Sequence, residues 1–131
     1  MPVIVPIVPG QQVTLEKAIE VCRKYDSTLI ALLYRPAKDY DAIDVDQEVD
    51  ALTDVLEEAD IAFSVEVRFA DGELSEHISQ LVEERQAELV VVGLARRPAN
   101  GKIVLGSQIQ RLLTDVDCAV LVVRDALDVA K

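Results

Sequence analysis

The chain alternates short apolar segments with longer amphipathic ones, and this alternation restricts its fold more than any other feature. The short segments are rich in β-branched and aliphatic residues and predict strands at 2–8, 27–34, 61–69, 89–92 and 119–123. The four segments between them carry apolar residues at helical spacing. Such a repeat is typical of a parallel sheet with right-handed crossovers. We therefore predict one α/β domain over residues 1–131, an open five-stranded parallel sheet that is doubly wound, with strand order 3-2-1-4-5 and helices on both faces.

Individual segments also indicate where a strand lies within the sheet and where a strand or helix begins or ends. Residues 2–8 are apolar throughout, as in a central strand that helices cover on both sides. Apolar and polar residues alternate over residues 61–69, which predicts a strand at the sheet edge with one solvent-exposed face. Thr14 is a candidate cap for the first helix. Gly93 is expected to end the fourth strand, and residues 94–105 are expected to form a loop.

Composition excludes several classes of partner. The formal net charge is -11 and only 4% of the residues are aromatic, so the chain lacks both the positive charge and the stacking side chains of a nucleic-acid binder. The same acidity disfavours anionic membranes. No apolar run is long enough for a membrane span, and the amino terminus lacks a basic signal-peptide region. Two cysteines do not form a disulfide scaffold, so a cytoplasmic, reducing location is expected.

A candidate ligand site follows from the predicted sheet. Open α/β sheets bind ligands outside the carboxyl ends of their strands, where the winding direction reverses. If strands one and four are neighbours there, residues 8–12 and 93–107 form the cleft. Gly93, a basic loop and the pair Gly106-Ser107 at a helix start suit an anion, because glycine admits a phosphate closely and free helix amides point at it. The alternative is that Gly93 only ends a strand and Gly106-Ser107 only starts a helix.

The spacing of this segment resembles that of the universal stress protein family. Nucleotide-binding members carry a glycine, two residues, a glycine, nine residues, and a glycine followed by serine or threonine. This chain has Gly93, two residues, Arg96, nine residues and Gly106-Ser107. The resemblance covers nearly the whole chain, including the ending DVDCAVLVVR. It implies a stress-response homodimer, paired through strand five at Ala119 to Arg124, with an ATP or other adenine-nucleotide cleft between strands one and four.

The resemblance also assigns residues to the two ends of the ligand. Those implied at the base and sugar are Pro6, Ile7, Val8 and Tyr34. Those implied at the phosphates are Gly93, Gly106 and Ser107. Arg96, Arg97 and Gln108 are further candidate binding residues beside them. Magnesium is expected only together with the nucleotide.

Two departures from the family pattern fall in this cleft. Arg96 replaces the second glycine, and Val8 stands where the family usually has an aspartate that contacts the nucleoside. Arg96 either fills the phosphate space or binds phosphate with its forked donors. With Arg97 and Lys102 it concentrates positive charge in an acidic chain, although a solvated loop is the alternative interpretation.

Other motifs carry little chemistry. Neither a Walker A loop nor a dinucleotide fingerprint is complete. His77, the only histidine, is expected to be structural, on helix three away from the cleft. Cys22 and Cys118 are expected to be small buried thiols. The acidic run 39–50 lacks calcium-loop spacing and is expected to be a solvated face.

Without a paired nucleophile and base, we expect no enzyme activity. Three hypotheses remain open. The first is a non-enzymatic, nucleotide-sensing stress module. The second is a structural or regulatory dimer of the same family that does not bind nucleotide. The third is a weak nucleotide hydrolase or phosphate-transfer protein.

Overall fold

Strands and helices alternate along the whole chain in the computed structural model, which describes residues 1–8, 11–35, 45–69, 73–95 and 107–125. The strands are β1 (Pro2–Pro6), β2 (Thr28–Arg35), β3 (Phe63–Phe69), β4 (Leu89–Ala95) and β5 (Ala119–Asp125). The helices are α1 (Gln12–Tyr25), α2 (Val45–Glu58), α3 (Leu74–Arg85) and α4 (Ser107–Asp115). All strand pairings are parallel, in the order β3-β2-β1-β4-β5. The predicted fold class and strand order are confirmed.

The sheet separates two hydrophobic cores, because successive side chains of a strand point to opposite faces. Val3 and Val5 of β1 join a core with buried residues of α1 and α2. Ile4 of β1 joins a second core with buried residues of α3 and α4. Helices therefore cover both faces of the sheet, as predicted, and α3 and α4 lie together on one of them.

The edge strand β3 is less exposed on its polar face than its alternating pattern predicts. Arg85 of α3 donates a hydrogen bond to the Ser64 hydroxyl at 3.0 Å and forms an ion pair with Glu66 at 3.1 Å. Arg68 pairs with Glu84 of α3 at 3.0 Å. The predicted edge position is confirmed, but the polar face is half-buried beneath the charged side of α3.

Three predicted limits at the sheet's carboxyl edge are wrong. The strand β1 ends at Pro6 rather than at residue 8. The helix α1 begins at Gln12, so Thr14 lies inside it, 1% exposed, and does not cap it. The strand β4 continues through Gly93 to Ala95 because β5 extends alongside it, pairing Gly93 with Val123 and Leu94 with Arg124. Gly93 therefore does not end the strand.

Candidate functional site

A pocket opens where the winding of the sheet reverses, between the carboxyl ends of β1 and β4. The chain leaves β1 for α1 on one face of the sheet, whereas α4, which follows β4, packs on the other. Ligands of open α/β sheets bind at such a point. The pocket has a volume of about 190 Å³ and is lined by Pro6, Val8, Gln11, Leu74, Ser75, Ile78, Val92, Gly93, Ile109 and Leu112.

The walls of this pocket, which we call the crevice pocket, are mainly aliphatic. The helix α3 supplies Leu74 and Ile78, and α4 supplies Ile109 and Leu112. The two polar side chains among the lining residues belong to Gln11 and Ser75. An apolar pocket with a few polar groups is the usual form of a small-molecule site, in which the polar groups fix the ligand's orientation.

Gln11 links the ends of the two central strands. Its backbone N–H donates to the Val8 carbonyl at 3.0 Å, and its side-chain Nε2 donates to the Gly93 carbonyl at 3.4 Å. The sequence placed Gln11 within the cleft range but not among the binding residues. The signal that could have identified it is a polar residue directly before the first helix, because that helix starts at the carboxyl edge of the sheet.

Gly93 has a packing requirement that does not depend on any ligand. A Cβ at this position would overlap the Thr14 hydroxyl and would lie 2.8 Å from the Gln11 side-chain oxygen. Both residues belong to the start of α1, which therefore approaches β4 as closely as a glycine permits. The structural requirement and the predicted ligand contact coexist, since Gly93 also lines the crevice pocket.

Three of the predicted site residues meet in the crevice pocket, namely Pro6, Val8 and Gly93. Ile7 does not line it. Its side chain lies with Val5 and Leu15 in a neighbouring pocket of about 230 Å³. Ile7 is one residue from both Pro6 and Val8, so it points to the opposite face.

The remaining predicted residues lie beside the pocket or beyond the described residues. Tyr34 of β2 does not line the pocket but packs against the same core, with its ring 4.9 Å from that of His77. Arg96, Arg97, Lys102 and Gly106 lie outside the described residues. Ser107 and Gln108 form the start of α4, and their side chains are likewise outside the described part.

The helix α3 borders the pocket, although His77, which was expected to lie away from the cleft, does not line it. The first turns of α3 supply Leu74, Ser75 and Ile78 to the pocket. His77 itself contacts Tyr34, and its Nδ1 is buried without a hydrogen-bond partner. Every helix that follows a strand in a parallel sheet starts near the sheet's carboxyl edge, which is the signal that would have placed α3 here.

The two thiols lie on opposite faces of the sheet, Cys22 in the core beneath α1 and Cys118 against the other core. Burial raises the pKa of Cys22 to about 11. Burial, and then the neighbouring Asp117, raise the pKa of Cys118. Both thiols are therefore protonated near neutral pH, which disfavours a nucleophilic role.

In the described part of the chain, no helix is long and apolar enough to cross a membrane. The same residues contain no group of three or more His, Cys, Asp or Glu side chains that could hold a metal ion.

The fold places this chain among doubly wound α/β proteins with a parallel sheet, and the crevice pocket lies at the switch point of that sheet. The family model described as "Universal stress protein family" matches residues 1–124. The chain belongs to the universal stress protein family.

Solved structures of the family share this fold. A universal stress protein from Archaeoglobus fulgidus aligns with a TM-score of 0.79 at 18% identity, covering 95% of this chain and 98% of that one. A universal stress protein from Archaeoglobus fulgidus in complex with dAMP aligns with a TM-score of 0.74 at 17% identity, covering 95% of this chain and 98% of that one. A universal stress protein family protein from Arabidopsis thaliana with AMP bound aligns with a TM-score of 0.66 at 13% identity, covering 100% of this chain and 95% of that one. Comparison with curated proteins gives no match.

Proposed function

We propose that this chain is a stress-response module that binds an adenine nucleotide, with ATP as the expected ligand, in the crevice pocket. The observation that carries this proposal is the pocket itself, an apolar slot at the switch point between β1 and β4. The complexes of distant relatives with dAMP and AMP support the choice of ligand. Three residues predicted for this ligand line the crevice pocket, namely Pro6, Val8 and Gly93.

The phosphates extend, in this proposal, from the pocket toward the start of α4. This helix begins at Ser107 and borders the pocket through Ile109 and Leu112. The free amides and positive dipole end of a helix start favour a phosphate group. Arg96 and Arg97 are proposed to add side-chain donors, which is one of the roles that the sequence leaves open for them, and any magnesium arrives with the nucleotide.

We also propose a homodimer paired through β5. This strand lies at one end of the sheet and pairs with β4 alone. Its residues Val120, Leu121 and Val122 are half-buried in the single chain. An apolar edge strand is a liability that pairing with a symmetry mate removes.

The proposed module is not an enzyme. The polar side chains lining the pocket, those of Gln11 and Ser75, are not bases at neutral pH. For the same reason the described lining offers no support for the weak hydrolase hypothesis.

We also propose a reducing, cytoplasmic location. The sheet separates Cys22 from Cys118, so the two thiols cannot form a disulfide with each other, which is consistent with that location.

A nucleotide-free regulatory dimer is the second candidate, and Val8 is the observation that favours it. Val8 lines the pocket and is 42% exposed, at the position where the family usually has its nucleoside-binding aspartate. The ribose then has one charged partner fewer. Binding measurements distinguish the two candidates directly.

The test is calorimetric titration of the purified chain with magnesium ATP, alongside two variants of α4. Ile109→Trp fills the crevice pocket, because Ile109 lines it and is half-buried. Leu113→Trp adds the same ring at a residue that is 45% exposed and does not line the pocket. We expect binding by wild type and Leu113→Trp, and its loss in Ile109→Trp. Wild type that does not bind at millimolar ATP contradicts the proposal and favours the nucleotide-free dimer.

A further inference from the structure

We infer that the Ser75 hydroxyl hydrogen-bonds the base of the bound nucleotide and thereby fixes its orientation in the crevice pocket. This inference rests on the proposed function and adds a residue that neither the sequence motif nor the family resemblance assigns. Ser75 lies in the first turn of α3 and lines the crevice pocket, to which β4 contributes Val92 and Gly93.

The evidence is an unpartnered polar atom in the pocket wall. Ser75 is 1% exposed, and its Oγ is buried without a hydrogen-bond partner. Buried hydroxyls are nearly always hydrogen-bonded, and one that is not costs the fold free energy. A ligand that fills the pocket would supply the missing partner.

Among the buried hydroxyls of the described residues, that of Ser75 is unusual. Thr14, at 1% exposure, has an interaction partner. Ser27 is 4% exposed, and its hydroxyl reaches the Tyr25 carbonyl at 3.5 Å. Ser75 is the buried hydroxyl that has no partner, and it is also the one that lines the crevice pocket.

The surroundings of Ser75 select the part of the nucleotide that it meets. Leu74 and Ile78 lie on its own helix, and Ile109, Leu112 and Val92 complete an aliphatic wall. Such a wall suits the faces of a heteroaromatic ring, and a hydroxyl can either donate to or accept from the ring's polar edge. A phosphate would lose its hydration there without a charged partner among these residues. The base therefore fits this wall better than the phosphates do.

The experiment measures binding of adenosine and of magnesium ATP to Ser75→Ala by calorimetry. Adenosine has no phosphates, so it reports on the nucleoside end alone. We expect about three- to ten-fold weaker binding of both ligands, the loss typical of one neutral hydrogen bond. We also expect the melting temperature of the ligand-free variant to equal or exceed that of wild type, because the substitution removes an unpartnered polar atom.

The matched control is Ser27→Ala, which removes a buried hydroxyl at the amino end of β2, outside the pocket. It should leave both affinities unchanged. 2′,3′-Dideoxyadenosine, which lacks the 2′- and 3′-hydroxyls, distinguishes a contact with the base from a contact with these two ribose hydroxyls. An equal loss with adenosine and dideoxyadenosine supports the contact with the base, whereas a loss that disappears with dideoxyadenosine overturns it.

Two failures are distinguishable. If wild type binds and Ser75→Ala binds equally well, or loses affinity for ATP only, the role of Ser75 is wrong and the proposed function stands. If wild type binds neither ligand at millimolar concentration, the proposed function is wrong and the inference that rests on it is overturned as well.

Discussion

The hydroxyl of Thr14 occupies the space into which a Cβ at Gly93 would project. Thr14 is buried in the first turn of α1, and Gly93 lies within β4. This contact fixes how closely the first helix approaches the carboxyl end of the fourth strand, beside the pocket. It gives a structural reason for a glycine that the sequence motif assigns to ligand binding.

Gly93→Ala is expected to destabilise the fold by about 1–3 kcal/mol, the usual cost of overpacking a core. Chemical unfolding of the single and double variants measures it. In a Thr14→Ala background the same substitution should cost clearly less, since the overlapping hydroxyl is gone. If the destabilisations caused by Gly93→Ala and Thr14→Ala simply add in the double variant, the contact with Thr14 is not the reason for a glycine at position 93.

Val8→Asp is expected to strengthen adenosine binding about ten-fold, because a carboxylate forms strong hydrogen bonds with ribose hydroxyls. Adenosine is the probe because a new negative charge repels phosphates. Val13→Asp is the control, since Val13 is 40% exposed and does not line the pocket. Calorimetry should show the gain for Val8→Asp alone. No gain would mean that the bound ribose does not approach Val8.

Val122→Lys is expected to convert the proposed dimer into a monomer, because it places a charge on the β5 edge. Val67→Lys on the opposite edge strand, β3, is the control, and Val67 is 37% exposed. Light scattering at micromolar concentration measures the mass. A wild-type monomer, or dissociation of both variants alike, would contradict pairing through β5.

Cys22 makes stability depend on pH in the alkaline range. Its pKa is about 11 in the fold and returns to about 8.5 in the unfolded chain. Between these values the unfolded state releases the proton first, so the free energy of unfolding falls as pH rises, by at most about 1.4 kcal/mol per unit. Unfolding curves of wild type and Cys22→Ala should converge with rising pH over this range. If the free energies of unfolding of the two proteins change in parallel with pH, the raised pKa of Cys22 is contradicted.

The fold was predictable because each element carries its own periodicity. The apolar run of β1 and the alternation of β3 identify a central and an edge strand, and the structure confirms both positions. The ends of elements were less predictable. The strand β4 continues past Gly93 because of its ladder with β5, which the local sequence does not show.

The site was only partly predictable. Val8 and Gly93 follow from the ends of β1 and β4, whereas Pro6 was implied by the family resemblance. All three line the pocket. Ser75 was missed because it comes near β1 and β4 only through the packing of α3, and a lone serine in an amphipathic helix has no local signal. Ile7, which was assigned to the ligand as well, directly follows β1 and packs against the core that β1 shares with α1.

The most direct test of the central claim is a titration of the ¹⁵N-labelled chain with magnesium ATP, followed by amide chemical shifts. We predict the largest changes at Val8, Gln11, Gly93 and Ile109, around the crevice pocket. Phe63 and Ala119, at the amino ends of their strands, should stay unchanged. Absence of changes at millimolar ATP, or changes confined to the amino edge of the sheet, would contradict nucleotide binding between β1 and β4.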